Sequence, residues 1–239
     1  MFGTKGIVLD FIKYSESSII VHIYTSRFGR QSYMVNGVRK SRNKGKTVFM
    51  QPLTLLRMEV THKENKDIHR IIDHKVEYPF LSIPFDQNKR LITFFITEIL
   101  SKVLREEEPD PELFDFIFES VRVLDGNIPG LYNFHLFFLF HLSRFLGFGV
   151  RYPEKTDFKY FDLKNSEYLY LEPDHPYFIS GGVLKNWVAL TELEADGLDK
   201  LVLSGESRKN MIDALITYFE LHIMNFGTLK SLKVLRSLF

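Results

Sequence analysis

The sequence predicts an α+β protein in which a small N-terminal β-barrel is followed by a helical bundle. Residues 1–80 show the two-residue hydrophobic period of β-strands, interrupted by short turns. After Pro79 and Pro84 the period changes to the 3.6 residues of helices. The chain has 239 residues, of which 45% are hydrophobic and 23 are phenylalanine, so it has enough apolar surface for substantial cores.

Five short runs rich in Ile, Val, Tyr and Thr form the predicted barrel. They are 6–13, 19–25, 31–38, 53–62 and 67–76. No helical period lies between them, and closure into a barrel removes the edge strands that otherwise aggregate. In the second run alternate residues fall on opposite faces. One face is assigned to the core: Ile19, Val21 and Ile23. The other is assigned to a partly exposed surface: Ile20, His22 and Tyr24.

Three helices are predicted in the middle of the chain. The first spans about 85–105, because its apolar residues recur on one face. Asp110 and Pro111 suit the N-cap and first turn of the second helix, and Gly126 ends it. The third helix, 131–146, is apolar nearly all round, which is typical of the centre of a bundle.

The rest of the chain combines a small hairpin with further helices. Two short strands, 160–163 and 168–171, flank a polar turn. Thr191 and Glu194 match a capping box, which predicts that a helix starts there. Ser207 begins a long amphipathic helix, and a short basic helix ends the chain.

Charge is distributed unevenly along the chain. Residues 17–58 contain no acidic side chain and eight basic ones, a local charge of +8. The remainder has 23 basic and 30 acidic residues, a net charge of −7. A nearly neutral protein that keeps carboxylates out of one region presents a cationic face to a polyanion, and nucleic acid is the first candidate.

Seven cations of this stretch are predicted phosphate contacts, and two lysines near the C terminus extend the path. They are Arg27, Arg30, Arg39, Lys40, Arg42, Lys44, Lys46, Lys230 and Lys233. Five of them lie in the polar loop 39–46, a density that suits tracking of a phosphate backbone without reading bases. On neighbouring strands His22, Tyr24 and Tyr33 are candidates for base stacking. The alternative interpretation is a solvated basic loop beside ordinary core aromatics.

No catalytic or metal site is predicted. The chain has no cysteine, which excludes disulfides, thiolate zinc sites and cysteine nucleophiles. None of the eight histidines forms a pair at the i, i+4 spacing of a helical zinc motif. The carboxylates 106–108 are expected to be exposed, and no phosphate-binding loop or nucleophile motif occurs. We therefore predict a protein that is not an enzyme and needs no cofactor.

The cellular location is predicted from what the sequence lacks. No early apolar run has a signal-peptide layout, because charged residues interrupt each one. The longest apolar run, 136–140, is far shorter than the ~20 residues needed to span a bilayer. These features predict a soluble, cytoplasmic protein without a membrane partner, associated with the nucleoid if it binds DNA.

Short motifs along essentially the whole chain resemble the RecO family of bacterial DNA repair proteins. They are Gly6-Ile7-Val8-Leu9, Tyr14-Ser15-Glu16, Thr25 with Gly29-Arg30, Gly37-Val38-Arg39-Lys40, Gln51-Pro52-Leu53, Gly181-Gly182 and Leu229-Lys230-Ser231-Leu232. The resemblance implies an N-terminal OB-fold followed by a helical bundle with a smaller insertion. We expect an OB-fold domain over 1–80, a bundle formed by 81–150 and 188–239, and a small hairpin subdomain over 151–187.

The resemblance also implies a recombination mediator of the RecF pathway. Such proteins bind single- and double-stranded DNA and anneal complementary strands. They engage the C-terminal tail of the single-strand-binding protein, act with RecR, and help to load RecA. No covalent step is implied.

One departure from the family pattern concerns zinc. Many members carry two Cys-x-x-Cys pairs around the paired glycines, whereas residues 153–187 have no cysteine. Zinc is therefore not carried over to this chain. The aromatic residues of the hairpin are expected to replace the metal by packing: Tyr160, Phe161, Tyr168 and Tyr170.

Two other functions remain open from the residues. An OB-fold adaptor could use the same basic patch to grip RNA or an acidic protein. A phosphodiester-cleaving enzyme with an unrecognised site is the third possibility.

Overall fold

The computed structural model describes residues 1–16, 18–36, 49–63, 65–105, 108–153 and 157–238. The chain forms two compact units, Met1–Gly126 and Asn127–Phe239. The finer division into an OB-fold domain, a bundle and a hairpin subdomain stays a prediction.

Five strands close into a barrel in the first unit. They are β1 (Phe2–Lys13), β2 (Ser18–Thr25), β3 (Gly29–Asn36), β4 (Leu55–Thr61) and β5 (Ile68–Tyr78). The order around the barrel is β1-β2-β3-β5-β4, with a parallel contact between β3 and β5 and antiparallel pairing elsewhere. This is the five-stranded Greek-key arrangement of an OB-fold, so the predicted fold class is confirmed.

Strand β1 serves two neighbours because it bends across the barrel. Its first part pairs with β4 and its second part with β2. Gly6 lies where the two pairings overlap, and a Cβ there would come within 2.5 Å of the Met58 side chain and 2.6 Å of the Ile23 side chain. The bend therefore needs a residue without a side chain at this position.

Alternation along β2 is confirmed for the inner face and only in part for the outer face. Ile19, Val21 and Ile23 belong to the barrel core. On the outer face His22 is partly exposed, but Ile20 and Tyr24 are buried. The expectation of an open outer face was wrong at Tyr24, because its ring packs 6.0 Å from that of Phe114 on a helix of the same unit.

In the part of the first unit that the structure describes, two helices follow the barrel: α1 (Gln87–Val103) and α2 (Pro111–Asp125). Asp86 caps α1 by accepting the backbone N–H groups of Asn88 and Lys89. Asp110 caps α2 by accepting the N–H of Leu113, as predicted.

Asp125 at the end of α2 holds the link between the barrel and the helices. Its carboxylate accepts the backbone N–H groups of Leu81, Ser82 and Ile83 at 2.7, 2.9 and 2.8 Å. The buried ammonium of Lys89 donates to the Asp125 carbonyl at 3.1 Å and to the Ser82 hydroxyl at 2.7 Å. Burial acts to raise the pKa of Asp125, but the three N–H donors outweigh it, so this pKa lies below its ordinary value.

The second unit combines helices with a three-stranded sheet. Its helices are α3 (Phe134–Phe145), α4 (Gly181–Thr191), α5 (Gly205–His222) and the short α6 (Leu232–Leu235), with 3₁₀ turns at Leu131–Asn133, Ala195–Lys200 and Arg236–Leu238. The strands β6 (Tyr160–Asp162), β7 (Glu167–Leu169) and β8 (Phe178–Ser180) form a sheet in the order β7-β6-β8. The hairpin was predicted, whereas β8 was not.

The predicted capping box at Thr191 and Glu194 is wrong. Thr191 is the last residue of α4, and its hydroxyl donates to the Val188 carbonyl at 2.6 Å. The residues after Glu194 form a 3₁₀ turn rather than an α-helix. The long helix predicted from Ser207 does form, but it begins at Gly205. Ser204 caps it, because the Ser204 hydroxyl accepts the N–H of Ser207.

Aromatic rings and hydrogen bonds pack the hairpin against its neighbours, and replacement of a metal by this packing stays a prediction. The Phe161 ring lies 4.8 Å from Tyr168, 5.4 Å from Trp187 and 6.2 Å from Tyr218. The carboxylate of Asp162 accepts the N–H groups of the hairpin turn and pairs with His175 at 3.2 Å. These contacts give a small sheet the interior that zinc thiolates supply in other small modules.

Candidate nucleic-acid interface

Arg27 lies at the exposed tip of the turn between β2 and β3, in front of two aromatic rings. Its guanidinium is 4.7 Å from the ring centroid of Phe2 and 5.5 Å from that of Phe28. The turn is fixed because Thr25 accepts the Phe28 N–H and donates to the carbonyl of Gly29, which has a φ of 61°. A planar cation is thereby presented at a rigid barrel end, a position suited to a phosphate contact.

The neighbouring β4–β5 loop adds two more cations to this end of the barrel. The rings of Phe28 and His62 stack with centroids 4.3 Å apart. A cleft of about 430 Å³ is lined by Phe2, His62, Lys63, Asn65 and Lys66. Both lysines are exposed. We call Arg27, Lys63 and Lys66, with the Phe2, Phe28 and His62 rings, the barrel-end surface.

Sequence reasoning missed Lys63 and Lys66. They lie outside the acid-free stretch, and Glu64 and Asp67 in the same loop cancel their charge in any running count. The loop between strands 4 and 5 is nevertheless one of the two loops through which OB-folds bind oligonucleotides. That position in the topology was the signal that could have identified them.

Arg30 makes a different contact from the one predicted. Its guanidinium donates to the carbonyls of Ser101 and Leu104, each at 2.9 Å, at the C-terminal end of α1. A cation there satisfies carbonyls that the helix leaves without partners and complements the helix dipole. We therefore assign Arg30 to the packing of α1 on the barrel and leave it out of the phosphate path.

The three predicted stacking residues do not form a platform. Tyr33 is 0% exposed and Tyr24 is 3% exposed, so neither ring has a face open to a base. Burial raises the pKa of both hydroxyls above the ordinary value. His22 is partly exposed, but its ring is hydrogen-bonded to the Asp10 carboxylate. The prediction that these residues stack on bases is therefore wrong, because their side of the barrel belongs to the core or is covered by α1 and α2.

Asp10 ties the barrel to α1. Besides pairing with His22, it accepts the Ser101 hydroxyl at 3.0 Å. Burial acts to raise the pKa of Asp10, but the hydrogen bond and charge of His22 outweigh it, so this pKa lies below its ordinary value. The outer face of β2 is thus occupied by an internal polar network.

The basic loop lies outside the described residues, and its five cations stay a prediction: Arg39, Lys40, Arg42, Lys44 and Lys46. The described chain ends beside it at Asn36 and resumes at Phe49. A cleft of about 180 Å³ at this end of β3 and β5 is lined by residues that include Asn36, Arg70 and His74. The Phe49 ring lies 6.0 Å from that of His74, so Phe49 and Asn36 both lie close to this cleft.

Arg57 is engaged by a carboxylate, and the two predicted C-terminal lysines lie in the second unit. Arg57 is the eighth cation of the acid-free stretch. Its guanidinium forms a bidentate ion pair with the Glu77 carboxylate, with N···O distances of 2.8 and 2.6 Å. Lys230 and Lys233 are exposed near the C terminus of the second unit, where Arg236 pairs with Asp213. Their role as an extension of the phosphate path stays a prediction.

The described ranges contain no group of three or more His, Cys, Asp or Glu side chains that could hold a metal ion. In the same ranges, none of the helices is both long enough and apolar enough to cross a lipid bilayer.

A closed OB-fold barrel with cations at one end, followed by a helical unit with a small sheet, defines the class: an OB-fold protein with an appended helical region. Residues 1–80 match the family model described as Recombination protein O N terminal, and residues 85–233 match Recombination protein O C terminal. The chain belongs to the RecO family.

Named relatives match the chain over its full length. The DNA repair protein RecO of Azobacteroides pseudotrichonymphae genomovar. CFP2 is 33% identical over 244 residues, covering 100% of this chain and 99% of the relative. The DNA repair protein RecO of Phocaeicola vulgatus is 34% identical over 239 residues, covering 99% and 98%. That of Bacteroides fragilis is 35% identical over 240 residues, with the same coverage.

Proposed function

We propose that this protein acts in DNA repair and recombination as a non-enzymatic mediator, in the cytoplasm and associated with the nucleoid. In this role it binds single- and double-stranded DNA and anneals complementary strands. With RecR, it helps to load RecA onto DNA coated by the single-strand-binding protein. The observation that carries the proposal is the barrel-end surface, in which three cations surround aromatic rings at one end of the OB-fold barrel, two of them on the β4–β5 loop.

Annealing follows from charge in this proposal. Two DNA strands repel each other through their phosphates, and a surface that neutralises phosphates on both lowers that repulsion. The barrel-end surface holds one strand, and the basic loop 39–46 is the second group of cations. The exposed edges of Phe2 and His62 offer apolar contact to bases whose sequence does not matter.

The salt dependence of DNA binding tests the barrel-end surface. Each single-strand phosphate that is neutralised contributes a slope of roughly −0.7 in log K against log salt. The variant R27A/K63A/K66A is expected to flatten the slope by roughly 2. Arg122→Ala is the matched control for one lost charge, because Arg122 already pairs with Glu119 at 2.8 Å. An unchanged slope in a folded triple variant removes this surface from the proposal.

The basic loop is tested separately. Replacement of Arg39, Lys40 and Arg42 by alanine is expected to weaken binding and flatten the slope by a similar amount without unfolding the protein. Competition among single-stranded DNA, RNA and an acidic peptide then separates the DNA mediator from an adaptor. Preferential binding of RNA or of the peptide would favour the adaptor. Incubation with labelled DNA and magnesium tests for cleavage.

We further propose that the acidic, hydrophobic tail of the single-strand-binding protein docks in the second unit, at the start of α4. A cleft of about 500 Å³ there has an apolar floor and two lysines, and its lining includes Phe158, Lys159, Leu184, Lys185 and Val188. Apolar floors rimmed by cations suit peptides that combine hydrophobic and acidic residues.

The N-terminus of α4 adds to this cleft. Its first turn has no acidic side chain, and Ser180 makes no side-chain capping hydrogen bond. Gly181 lines the cleft, and Cβ atoms at Gly181 and Gly182 would meet nothing within 4 Å. The N–H groups of the first turn are therefore open to a carboxylate.

Titration against the single-strand-binding protein with and without its tail tests this docking. Binding is expected only with the tail, and Lys185→Glu should weaken it about tenfold, since an attraction becomes a repulsion. Lys200→Glu, an exposed lysine outside the cleft, is the matched control. Equal weakening by both variants would argue for general charge and against this cleft.

A further inference from the structure

A glutamine occupies a core position of the barrel, and none of the contacts described above explains it. Alternate residues of a strand point to the same face, and the inner face of β3 carries Gln31, Tyr33 and Val35. Gln31 is 4% exposed and lies directly opposite Ile23, a residue of the barrel core. Burial of an amide costs free energy unless the amide is hydrogen-bonded, so the partner of Gln31 indicates what this residue does.

The Gln31 amide is bound to the turn between β2 and β3. Its Nε2 donates to the Phe28 carbonyl at 2.7 Å. The N–H of Phe28 donates in turn to the hydroxyl of Thr25, which is also buried, at 3.0 Å. Both backbone polar groups of Phe28 are therefore held by buried side chains of the barrel. The backbone from which the Phe28 ring extends is fixed as a result.

The Phe28 ring links the two cation-bearing segments of the barrel-end surface. The Arg27 guanidinium lies 5.5 Å from its centroid. The His62 ring stacks on it, with centroids 4.3 Å apart and ring planes 14° apart. His62 directly precedes Lys63 in the β4–β5 loop, which also carries Lys66. The position of the Phe28 ring therefore sets where Arg27 lies relative to the two loop lysines.

Stability alone is a weak reason for the glutamine. The turn that contains the Phe28 carbonyl is only partly buried, so water can replace the amide as its donor. Methionine has nearly the same shape as glutamine and would suit the inner face of β3 better. A polar group that adds little net stability to a core can instead fix one conformation. Here the conformation that Gln31 fixes is that of the turn carrying Arg27.

We propose that Gln31 is a positioning residue for DNA binding, which acts through Phe28 to hold Arg27 in line with the loop lysines. The inference rests on the proposed DNA binding by the barrel-end surface. Gln31 is buried and does not touch the DNA itself. Cations that are held in place before binding lose less conformational freedom when a strand docks. Without the amide the turn is free to move, and the phosphate contact of Arg27 is lost.

The salt dependence of DNA binding tests this role, measured by fluorescence anisotropy of the full chain with a labelled dT oligomer. One lost single-strand phosphate contact flattens the slope of log K against log salt by about 0.7, which is about fivefold in affinity at 0.1 M salt. We expect both effects in Gln31→Met. Thr97→Val is the matched control, because it also removes a hydrogen bond from a buried side chain to a carbonyl, at 2.7 Å in α1. It should change neither quantity.

A double-mutant cycle separates positioning from a general loosening of the barrel. Arg27→Ala removes the same phosphate contact, so it should also weaken binding about fivefold. The variant Q31M/R27A should then lose about fivefold, whereas independent effects would multiply to about 25-fold. Urea unfolding and near-ultraviolet circular dichroism establish that each variant is folded. Phe28→Leu, at a partly buried position of the turn, is the second variant and should show the same loss as Gln31→Met.

Three results would overturn the inference. The first is natural affinity and slope in folded Gln31→Met, or in Phe28→Leu if Gln31→Met does not fold, while Arg27→Ala weakens binding. This result would keep the barrel-end surface as a DNA site and remove Gln31 from it. The second is multiplication of the two losses in Q31M/R27A, which would mean that Gln31 acts independently of Arg27. The third is an unchanged slope in Arg27→Ala, which would count against the proposed DNA surface itself.

Discussion

Removal of the Asp125 carboxylate is the perturbation that most directly tests how the first unit is held together. Asp125 is 2% exposed and accepts three consecutive backbone N–H groups from Leu81, Ser82 and Ile83. The Tyr78 hydroxyl is a fourth donor at 3.3 Å. In Asp125→Ala these donors lose their acceptor.

The expected cost follows from which donors can reach water. The Ile83 N–H is buried, so losing its acceptor costs about 1–3 kcal/mol, while the N–H groups of Leu81 and Ser82 are partly accessible and cost less. We expect a loss of about 3 kcal/mol, or about 10 °C in the melting temperature of the first unit. Asp125→Asn keeps one carbonyl acceptor and is expected to lose about half as much.

The pH dependence gives an independent signature. The pKa of Asp125 is lowered below its ordinary value of 3.8, so the carboxylate stabilises the folded state fully above that value. This stabilisation is lost as the pH falls from 3.8 through the folded-state pKa. Urea unfolding can be followed by far-ultraviolet circular dichroism between pH 7 and pH 3. The free energy of unfolding should fall more steeply with acid in the natural chain than in Asp125→Asn.

Two results would refute this reasoning. One is an Asp125→Ala variant whose unfolding free energy at pH 7 matches that of the natural chain. The other is an acid loss of stability that is identical in the natural chain and Asp125→Asn, because the shifted carboxyl would then contribute nothing.

Three further predictions concern single structural contacts. Gly6→Ala should destabilise the barrel by about 1–3 kcal/mol, because its methyl group would lie 2.5 Å from the Met58 side chain and 2.6 Å from the Ile23 side chain. Urea unfolding measures this loss, and a variant as stable as the natural chain would show that the core adjusts without cost. Arg30→Ala should cost about 1–2 kcal/mol by removing two hydrogen bonds at the end of α1, with little change in the salt slope of DNA binding; a large change in slope would restore Arg30 to the phosphate path. Addition of EDTA should leave the melting curve unchanged, and a lower melting temperature would reveal a structural metal.

Local signals predicted the elements that depend on local chemistry. The strand periodicity, the Asp110 cap with Pro111 and the hairpin turn all follow from neighbours in the sequence. Tyr24 did not follow, because alternation defines two faces but does not reveal that helices sixty or more residues later cover the outer one. Thr191 matched a capping box, yet α4 ends at this residue. The sequence did not predict α4, because the helix starts at a glycine without a recognisable cap.

The candidate site was predictable only in part for a related reason. A running charge count identifies the acid-free stretch but not Lys63 and Lys66, whose loop also carries acidic residues. These two lysines join the candidate site because they lie at the same end of the barrel as Arg27. Only the pairing of the strands brings them there. Arg30 is the opposite case. It lies in the acid-free stretch, but its guanidinium binds carbonyls at the C-terminal end of α1.

The hairpin of the second unit has a consequence for the conditions under which such a protein works. Peroxide converts thiolates to sulfenic and higher acids, and a thiolate-bound metal is then released. Here the corresponding sheet is joined by Phe161, Trp187, Tyr218 and the Asp162 carboxylate, and the chain contains no sulfhydryl group at all. We therefore expect peroxide to leave the packing of this sheet unchanged.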